Sequence, residues 1–391
     1  MLELRCLPRL AASTGSFAGS IQMSNSRWTD VLVPSTWRTA LLKSMAATLA
    51  CVGVVGIPFL PKEIERQRVK PDILTYECVP MTDGKSIIAQ LHDNDNASTA
   101  GKFSRRLVLI DLSVDPPASR SLLPDIDPVC FALDLADERL FVGDANGAIT
   151  NRSIDPEAEW FWPFGRGLKG TQKSISCAAD GQTLMVQDET CLYAWNIAEQ
   201  GALVTPRWCR VDPEISCFAI HPNSQTVLCA QQGLDGDDIA EIDIHTGDRR
   251  TVFSQIGRQI DKLLISANGV FLVAVEHNGE VVLLQRPDDQ QRWKRFTIPG
   301  LRTGESKVAT FSPHGPLLIT SNQAINRLCV WDLERRELRH QFDERNSSVI
   351  GCCFLDADHI LSWNLDHKLV VWNLEQAAEE REISFRMNRS W

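Results

Sequence analysis

The stretch Asn326-Arg-Leu-Cys-Val-Trp-Asp-Leu-Glu334 has the alternating pattern of a β-strand that is packed on both of its faces. Leu328 and Val330 fall on one face, and Trp331 and Leu333 fall on the other. Because both faces carry large apolar side chains, this strand needs a neighbouring layer on each side. The stretch therefore predicts an interior strand of a layered β protein.

Three similar stretches recur elsewhere in the chain. Lys368-Leu-Val-Val-Trp-Asn-Leu-Glu375 repeats the pattern 41 residues later, and Tyr193-Ala-Trp-Asn-Ile197 is a shorter copy. Leu107-Val-Leu-Ile-Asp-Leu112 is a further copy, with Ile110 in the position of the tryptophan. A repeat at a nearly fixed spacing predicts that the chain is built from copies of one supersecondary unit.

Seven such units follow one another from residue 74 onward. Each has two short apolar strands, a third strand with an anchor residue, and a more variable fourth segment. The anchors are Ile110, Arg152, Trp195, Ile242, Leu284, Trp331 and Trp372. They are 42, 43, 47, 42, 47 and 41 residues apart. This period predicts an all-β fold, a seven-bladed β-propeller of four-stranded antiparallel blades, over residues 74–391.

The dipeptides at the anchors carry a resemblance to a known family. They are Ile110-Asp111, Trp195-Asn196, Ile242-Asp243, Trp331-Asp332 and Trp372-Asn373. With these motifs the chain resembles the WD40-repeat family as a divergent member. The resemblance implies that an Asp six residues before the anchor joins a hydrogen-bonded network within the blade, and Asp366 and Asn278 have that spacing. The Gly-His pair of the family is absent, so the resemblance implies an incomplete network.

The closure of the ring has two possible forms. Residues 382–385 are expected to form the outer strand of the last blade. A strand from residues 66–73 could instead complete that blade. In either form, blades that stack face to face bury the apolar sides that one thin sheet cannot bury by itself.

The first 73 residues differ from the rest of the chain. Residues 1–43 are expected to be flexible, residues 44–60 form the only long uncharged run, and residues 61–73 are expected to be a charged stalk. Seventeen uncharged residues are at the short end of what spans a bilayer as a helix, which predicts a single membrane anchor. Alternatives are a signal peptide, a lipoprotein cleavage site before Cys51, and a segment buried against the propeller.

The charges around this run predict its orientation. Four basic residues follow the run within fifteen residues and two precede it, which places the propeller on the cytosolic side of the membrane. A soluble cytoplasmic protein and a protein anchored outside the cytoplasm remain alternatives.

Charge and cysteine placement restrict the partners and the compartment. Residues 1–73 have a net charge of +4, and the whole chain has −10, so residues 74–391 have −14 and are a poor surface for nucleic acid. Five of the twelve cysteines lie in or near first strands of different units, which are too far apart for disulfides. We therefore expect reduced thiols.

No motif predicts catalysis, a metal or a cofactor. Residues 165–170 match Gly-x-Gly-x-x-Gly but follow no βα unit, and residues 92–96 and 235–238 read as solvated acidic turns. The leading hypothesis is a non-enzymatic, membrane-tethered scaffold that binds a protein partner. The alternative is a propeller enzyme or a ligand or metal sensor with its site at the mouth of the central channel.

One aromatic cluster is a candidate contact for a partner. Trp160, Trp162 and Phe164 lie close together in a predicted outer strand, and exposed aromatic side chains often anchor interfaces. The alternative is that these side chains pack between the second and third blades.

Overall fold

The computed structural model describes twelve stretches of the chain. These are residues 73–93, 105–134, 139–155, 161–164, 174–197, 206–212, 214–286, 292–301, 308–322, 326–343, 348–366 and 368–384. The predictions for residues 1–72, including the proposed anchor at 44–60, lie outside the described residues.

The described residues form seven four-stranded sheets, and each sheet contains four consecutive strands. Blade 1 contains β1 Ile73–Pro80, β2 Ser86–Asp93, β3 Arg105–Asp111 and β4 Ala118–Ser121. Blade 2 contains β5 Pro128–Asp134, β6 Arg139–Asp144, β7 Ile149–Ser153 and β8 Phe161–Phe164. Blade 3 contains β9 Ser174–Cys177, β10 Thr183–Gln187, β11 Cys191–Asn196 and β12 Trp208–Val211. Blade 4 contains β13 Ile215–Ile220, β14 Thr226–Gln231, β15 Asp237–Asp243 and β16 Arg249–Gly257.

The remaining three blades have the same order. Blade 5 contains β17 Ile260–Ile265, β18 Phe271–Glu276, β19 Val281–Gln285 and β20 Lys294–Phe296. Blade 6 contains β21 Ala309–Phe311, β22 Leu317–Asn322, β23 Arg327–Asp332 and β24 Glu337–Asp343. Blade 7 contains β25 Val349–Phe354, β26 His359–Asn364, β27 Lys368–Asn373 and β28 Ala378–Ser384. All neighbouring strands are antiparallel, which confirms the predicted all-β, seven-bladed architecture.

The first strand of each blade lies at the centre of the ring and the fourth lies at the rim. Neighbouring first strands contact one another from β5 to β25, β3 contacts β5 between blades 1 and 2, and β1 contacts β25, so the seven blades close into a ring. The outer strand of blade 7 is β28, as predicted, although it begins at Ala378 rather than at residue 382. Within the described residues, blades 1 and 7 share no strand, and β1 is the inner strand of blade 1.

The core consists of layers between neighbouring blades. Leu328 and Val330 pack with apolar residues of blade 7, whereas Trp331 and Leu333 pack with blade 5. An equivalent apolar cluster occupies each of the other blade boundaries, including the boundary between blades 7 and 1. Each thin sheet is therefore buried by its two neighbours, as the alternation in the sequence predicts.

The anchor residues lie in the third strand of each blade. They are the penultimate residues of β3, β7, β11, β15, β19, β23 and β27, and Ile110, Ile242 and Leu284 are fully buried. The residue that follows an anchor caps the next turn. Asp332 Oδ1 accepts backbone hydrogen bonds from Glu334 and Arg335 (3.1 and 2.9 Å), and Asp111 and Asp243 bind their turns in the same way. This cap explains why Asp or Asn follows the anchor.

The described part of the chain contains ten cysteines, and all ten are free thiols. It contains no helix of the length and apolarity that a membrane span requires.

Candidate functional site

The loops of the ring lie on two opposite faces. The upper face is formed by the turns between the second and third strands of each blade and by the connections between blades. The turns between first and second strands, and between third and fourth strands, form the lower face. Among the described residues, four large apolar side chains are exposed: Val114, Leu234, Leu338 and Leu365.

Two of these exposed side chains lie on the upper face. Leu234, in the turn between β14 and β15, is fully exposed, and Leu365, in the turn between β26 and β27, is 50% exposed. Val114 lies on the lower face and Leu338 lies in the outer strand β24. The upper face therefore presents two separate apolar side chains, in blades 4 and 7, that no described residue covers.

A cleft of about 390 Å³ lies on the upper face beside Leu234, at the boundary between blades 4 and 5. Its lining residues are Asp235, Gln255, Gly257, Arg258, Gln259, Glu276, His277 and Asn278. The cleft forms where β16 continues into β17 through only Arg258 and Gln259. Because this connection is so short, the backbone on either side of it must turn sharply.

The sharp turn requires unusual backbone conformations. Gln255 and Gln259 have φ values of 55° and 53°, which residues other than glycine seldom adopt. Gly257 lies between them, and a Cβ atom there would come within 2.1 Å of Glu276 Oε1. A glycine at position 257 therefore leaves the space in which the Glu276 carboxylate lies against the backbone.

Glu276 is the buried acid of the cleft. Its side chain accepts a hydrogen bond from Asn278 Nδ2 (3.3 Å), and burial, together with the nearby charge of Glu280, raises its pKa. At the rim, His277 Nδ1 lies 2.8 Å from Asp261 Oδ2, and both side chains are exposed. The cleft thus offers hydrogen-bond acceptors at two depths to a polar or cationic group of a partner.

The acidic segment at residues 235–238 is not the solvated turn that the sequence suggests. Asp237 is only 3% exposed, and its Oδ2 accepts a hydrogen bond from the backbone N–H of Ile260 (2.8 Å). Asp238 Oδ1 accepts one from the backbone N–H of Gln255 (2.9 Å). The solvated-turn interpretation is therefore wrong for Asp237, because its side chain joins blade 4 to blade 5. No cluster suited to a metal ion occurs among the described side chains.

The centre of the ring carries a second set of polar groups. Glu77 on β1 and Lys262 on β17 are both accessible to water in the channel. Surrounding protein atoms nevertheless desolvate Glu77 and raise its pKa, although the charge of Lys262 opposes the rise. Lys262 Nζ donates a hydrogen bond to the carbonyl oxygen of Ala309 on β21 (3.3 Å). A carboxylate and an ammonium group therefore face the channel from different blades.

A repeated bulge shapes the inner strands. Five of the inner strands have one extra residue opposite the second strand, at positions 76, 129, 216, 261 and 350. Side chains of the preceding blade bind the carbonyl groups at two of these bulges. Gln90 Nε2 donates to the carbonyl oxygen of Pro128 (2.7 Å), and Gln187 Nε2 donates to that of Ile215 (2.9 Å). These bonds join blade 1 to blade 2 and blade 3 to blade 4 at the inner strands.

Two of the anchor tryptophans are hydrogen-bonded within their blades. Trp331 Nε1 donates to Thr320 Oγ1, and Trp372 Nε1 donates to Ser362 Oγ, both at 2.9 Å. Trp195 stacks on Tyr193, with ring centroids 5.2 Å apart. Sequence spacing did not identify the hydroxyl partners, because they lie ten or eleven residues away on another strand.

Asp366 and Asn278, which the resemblance assigned to a hydrogen-bonded network, both lie in turns. Asp366 is exposed, and its backbone N–H donates to Asn364 Oδ1 (3.1 Å). Asn278 Oδ1 accepts from the backbone N–H of Glu280 (2.8 Å). The structure does not bring either side chain to the anchor of its blade.

The aromatic candidates lie at the limit of the described structure. Trp160 is outside the described residues, and Trp162 and Phe164 are described only as backbone in β8. In that strand Trp162 pairs with Asn151 and Phe164 pairs with Ile149 of β7. Their role in binding a partner stays a prediction.

Solved structures provide the comparison for this geometry. The β-propeller domain of Cps50 (Swd1) from Myceliophteria thermophila matches with a TM-score of 0.57 and 10% identity, covering 78% of this chain and 98% of that chain. The fold is that of a β-propeller. Sqt1 from Chaetomium thermophilum matches this propeller with a TM-score of 0.58 and 12% identity, over 81% of this chain and 88% of that chain.

A second structure of Sqt1 contains a partner. Sqt1 bound to the N-terminus of the ribosomal protein L10 matches with a TM-score of 0.57 and 12% identity, over 76% of this chain and 84% of that chain. No protein-family model and no curated protein matches the sequence of this propeller.

Proposed function

We propose that this propeller is a non-enzymatic scaffold that binds a protein partner on its upper face. The observation that carries the proposal is the fully exposed Leu234 next to a cleft with the buried acid Glu276. An apolar contact beside a polar pocket can hold a partner by burial and orient it by hydrogen bonds. The Sqt1 structure with a ribosomal-protein segment supports a protein partner in general, because a protein of the same fold binds one.

Affinity capture with matched variants tests the proposal. The full chain, Leu234→Asp and Leu365→Asp would be used as baits, with Val114→Asp on the lower face as the control. Captured proteins would be quantified by mass spectrometry, and each interaction would be remeasured with purified components. We expect Leu234→Asp to weaken the specific interaction at least about tenfold, because loss of an apolar hot-spot contact costs about 2 kcal/mol or more. Equal losses for Val114→Asp, or no loss for Leu234→Asp, would reject the upper face.

We propose further that residues 44–60 anchor the propeller to a membrane, with the propeller on the cytosolic side. The uncharged run and the excess of basic residues after it support this location. Fractionation of cells that express the full chain or a version without residues 44–60 tests it. Full-length protein that stays soluble without detergent would contradict the anchor.

The competing proposal is a ligand sensor in the central channel. It is supported by Glu77 and Lys262, which place opposite charges at different points of the channel. Purified protein would be tested for bound metal and for turnover of lactone, ester and sugar substrates. Stoichiometric metal with activity that is lost in Glu77→Gln would favour the sensor or enzyme over the scaffold.

A further inference from the structure

A groove of about 460 Å³ lies at the outer rim, where blade 4 meets blade 5. One wall is the outer strand β16, and the other is the segment immediately before β20. The lining residues are Arg250, Thr251, Val252, Phe253, Ser254, Arg292 and Trp293. The groove shares no lining residue with the cleft of the upper face.

The strand that forms the first wall has a free edge. β16 pairs with β15 on one side, and no described strand pairs with its other side. With nine residues it is the longest outer strand of the described blades, in which the others have three to seven. The free edge of a long outer strand presents backbone N–H and C=O groups to which another strand can pair.

After its first two residues, which are arginines, β16 also lacks the charges that usually prevent such pairing. The three longest outer strands, in blades 4, 6 and 7, each have a bulge, and the bulged residue is Val252 in β16, Arg339 in β24 and Glu380 in β28. Residues 251–255 of β16 contain no charged side chain. Charged side chains on an edge strand disfavour the addition of a further strand, so blade 4 is the exception among these three blades.

The second wall contains a buried donor without an acceptor. Trp293 is 3% exposed, and its Nε1 has no hydrogen-bond partner among the described residues. The ring packs with Val252 and Phe253, and the Arg286 guanidinium group lies 5.0 Å from its centroid. A buried indole N–H without an acceptor is energetically costly, and a carbonyl group brought into the groove would satisfy it.

The described charges around the groove favour an acidic occupant. Glu241 Oε2 accepts a hydrogen bond from Arg250 Nε (2.8 Å), and Glu241 Oε1 lies 3.5 Å from Arg286 Nη1. Arg292 is exposed and forms no ion pair with any described residue. Two guanidinium groups thus share one carboxylate and Arg292 lines the groove as well, within a propeller region that is acidic as a whole.

We propose that the rim groove binds an extended, acidic segment of a partner protein, which adds to β16 as a fifth strand of blade 4. Backbone hydrogen bonds to the free edge would supply the affinity, and alternate side chains of the segment would contact the groove. Acidic side chains would face the arginines, and a carbonyl group would accept from Trp293 Nε1. This surface is separate from the upper face, so either proposal can fail without the other.

A peptide display library tests the inference on the full chain. Random peptides of about 12 residues, longer than β16, would be selected for binding to the wild-type protein. The enrichment of the selected peptides would then be measured on the Val252→Glu variant. The substitution places at the edge of blade 4 the charge that Glu380 has in blade 7. We expect acidic sequences rich in β-branched residues to be enriched on the wild type and at least about tenfold weaker on Val252→Glu. No enrichment, or equal enrichment on both proteins, would reject the groove.

Further variants separate strand addition from other modes of binding. A selected peptide that is N-methylated at alternate residues loses backbone donors and should lose binding, while its side chains are unchanged. Trp293→Phe should weaken binding about fivefold to tenfold, because one hydrogen bond is lost. Leu338→Glu on β24 and Leu234→Asp on the upper face should have no effect. Ser254→Lys is a second edge variant if Val252→Glu has a lowered thermal midpoint. Unchanged binding of the N-methylated peptide would contradict the inference.

Discussion

Arg381 Nη1 donates a hydrogen bond to the carbonyl oxygen of Leu112 (2.8 Å), a residue 269 positions earlier in the chain. Arg381 lies in the outer strand of blade 7, and Leu112 follows the third strand of blade 1. Arg381 Nη2 also donates to the carbonyl oxygen of Val114 (2.8 Å) and lies 3.2 Å from Asp115 Oδ1. One side chain therefore joins the lower face of the first blade to the last.

Arg381→Ala should lower the free energy of unfolding by about 1–3 kcal/mol, because two charged hydrogen bonds are lost, one of them to the partly buried carbonyl group of Leu112. Urea unfolding followed by tryptophan fluorescence would measure the change. The control is Arg335→Ala, whose side chain is 76% exposed and forms only long ion pairs within blade 6. Equal effects of the two substitutions would show that Arg381 does not contribute to ring closure.

Thr320→Val should also destabilise the protein, by about 1–3 kcal/mol, because it leaves the buried Trp331 Nε1 without its acceptor. A double-mutant cycle with Trp331→Phe measures the interaction between the two side chains. We expect the valine substitution to cost much less when residue 331 is phenylalanine. Additive effects would indicate that the hydrogen bond contributes little to blade 6.

Gly351→Ala should destabilise the boundary between blades 7 and 1. A Cβ atom at this position would lie 2.1 Å from Trp363 Cε2, and the tryptophan is buried in the apolar cluster between these blades. Overpacking of this kind costs roughly 1–3 kcal/mol. Gly315→Ala is the matched control, because no atom lies within 4 Å of a Cβ there. The thermal midpoint of Gly351→Ala should fall, and Trp363→Leu in the same protein should restore part of the loss.

His221 should make the protein less stable at acidic pH. Burial and the charge of Arg286 lower the pKa of His221, and Arg286 Nη2 lies 2.7 Å from its Nε2. A histidine whose pKa is lowered by folding stabilises the native state above its unfolded pKa, near 6.5, and this contribution is lost as the pH falls below it. Urea midpoints at about pH 7.5 and pH 5.5 would measure the effect. His221→Gln should lose less stability on acidification than the wild type.

His359 should have the opposite dependence and serves as the comparison. Burial opposes its protonation, but the hydrogen bond to Asp356 and the charges of Asp356 and Glu380 outweigh burial and raise its pKa. Its contribution to stability is therefore present below pH 6.5 and is lost as the pH rises through the raised pKa. His359→Gln should remove stability mainly at low pH. If the urea midpoint changed with pH in the same way in His221→Gln and His359→Gln, the opposite pKa shifts of the two histidines would be contradicted.

The sequence predicts those features that depend on short-range patterns. The period of the anchors predicts seven blades, and the alternation around Trp331 predicts which side chains share a face of the strand, whereas only the structure shows that these faces meet blades 5 and 7. The hydroxyl partner Thr320 was not predicted, because it meets Trp331 only through the pairing of β22 with β23. Asp366 had the spacing of a network residue, but its side chain lies exposed in a turn. Spacing along a chain therefore predicts strands more reliably than side-chain partners.

The candidate binding surfaces depend on features that sequence patterns do not report. The cleft of the upper face forms because Gln255 and Gln259 adopt positive φ values around a two-residue connection, and neither residue is typical of such a backbone. Asp237 appeared to be a solvated acid and is buried between blades. The proposal for the rim groove uses the indole N–H of Trp293, which has no acceptor among the described residues. Sequence patterns do not report this, because the spatial neighbours of the ring must be known.

In this propeller every blade is made from four consecutive strands, and within the described residues none is lent to another blade. During synthesis on the ribosome, six of the blade boundaries can therefore form as soon as the next blade emerges. The apolar side of blade 1 that includes Cys78 and Ile87 stays uncovered until Trp363 and Leu369 have been translated. A newly made chain thus exposes the apolar face of blade 1 for most of its elongation. The yield of folded protein in cells should therefore depend on chaperones that cover this face.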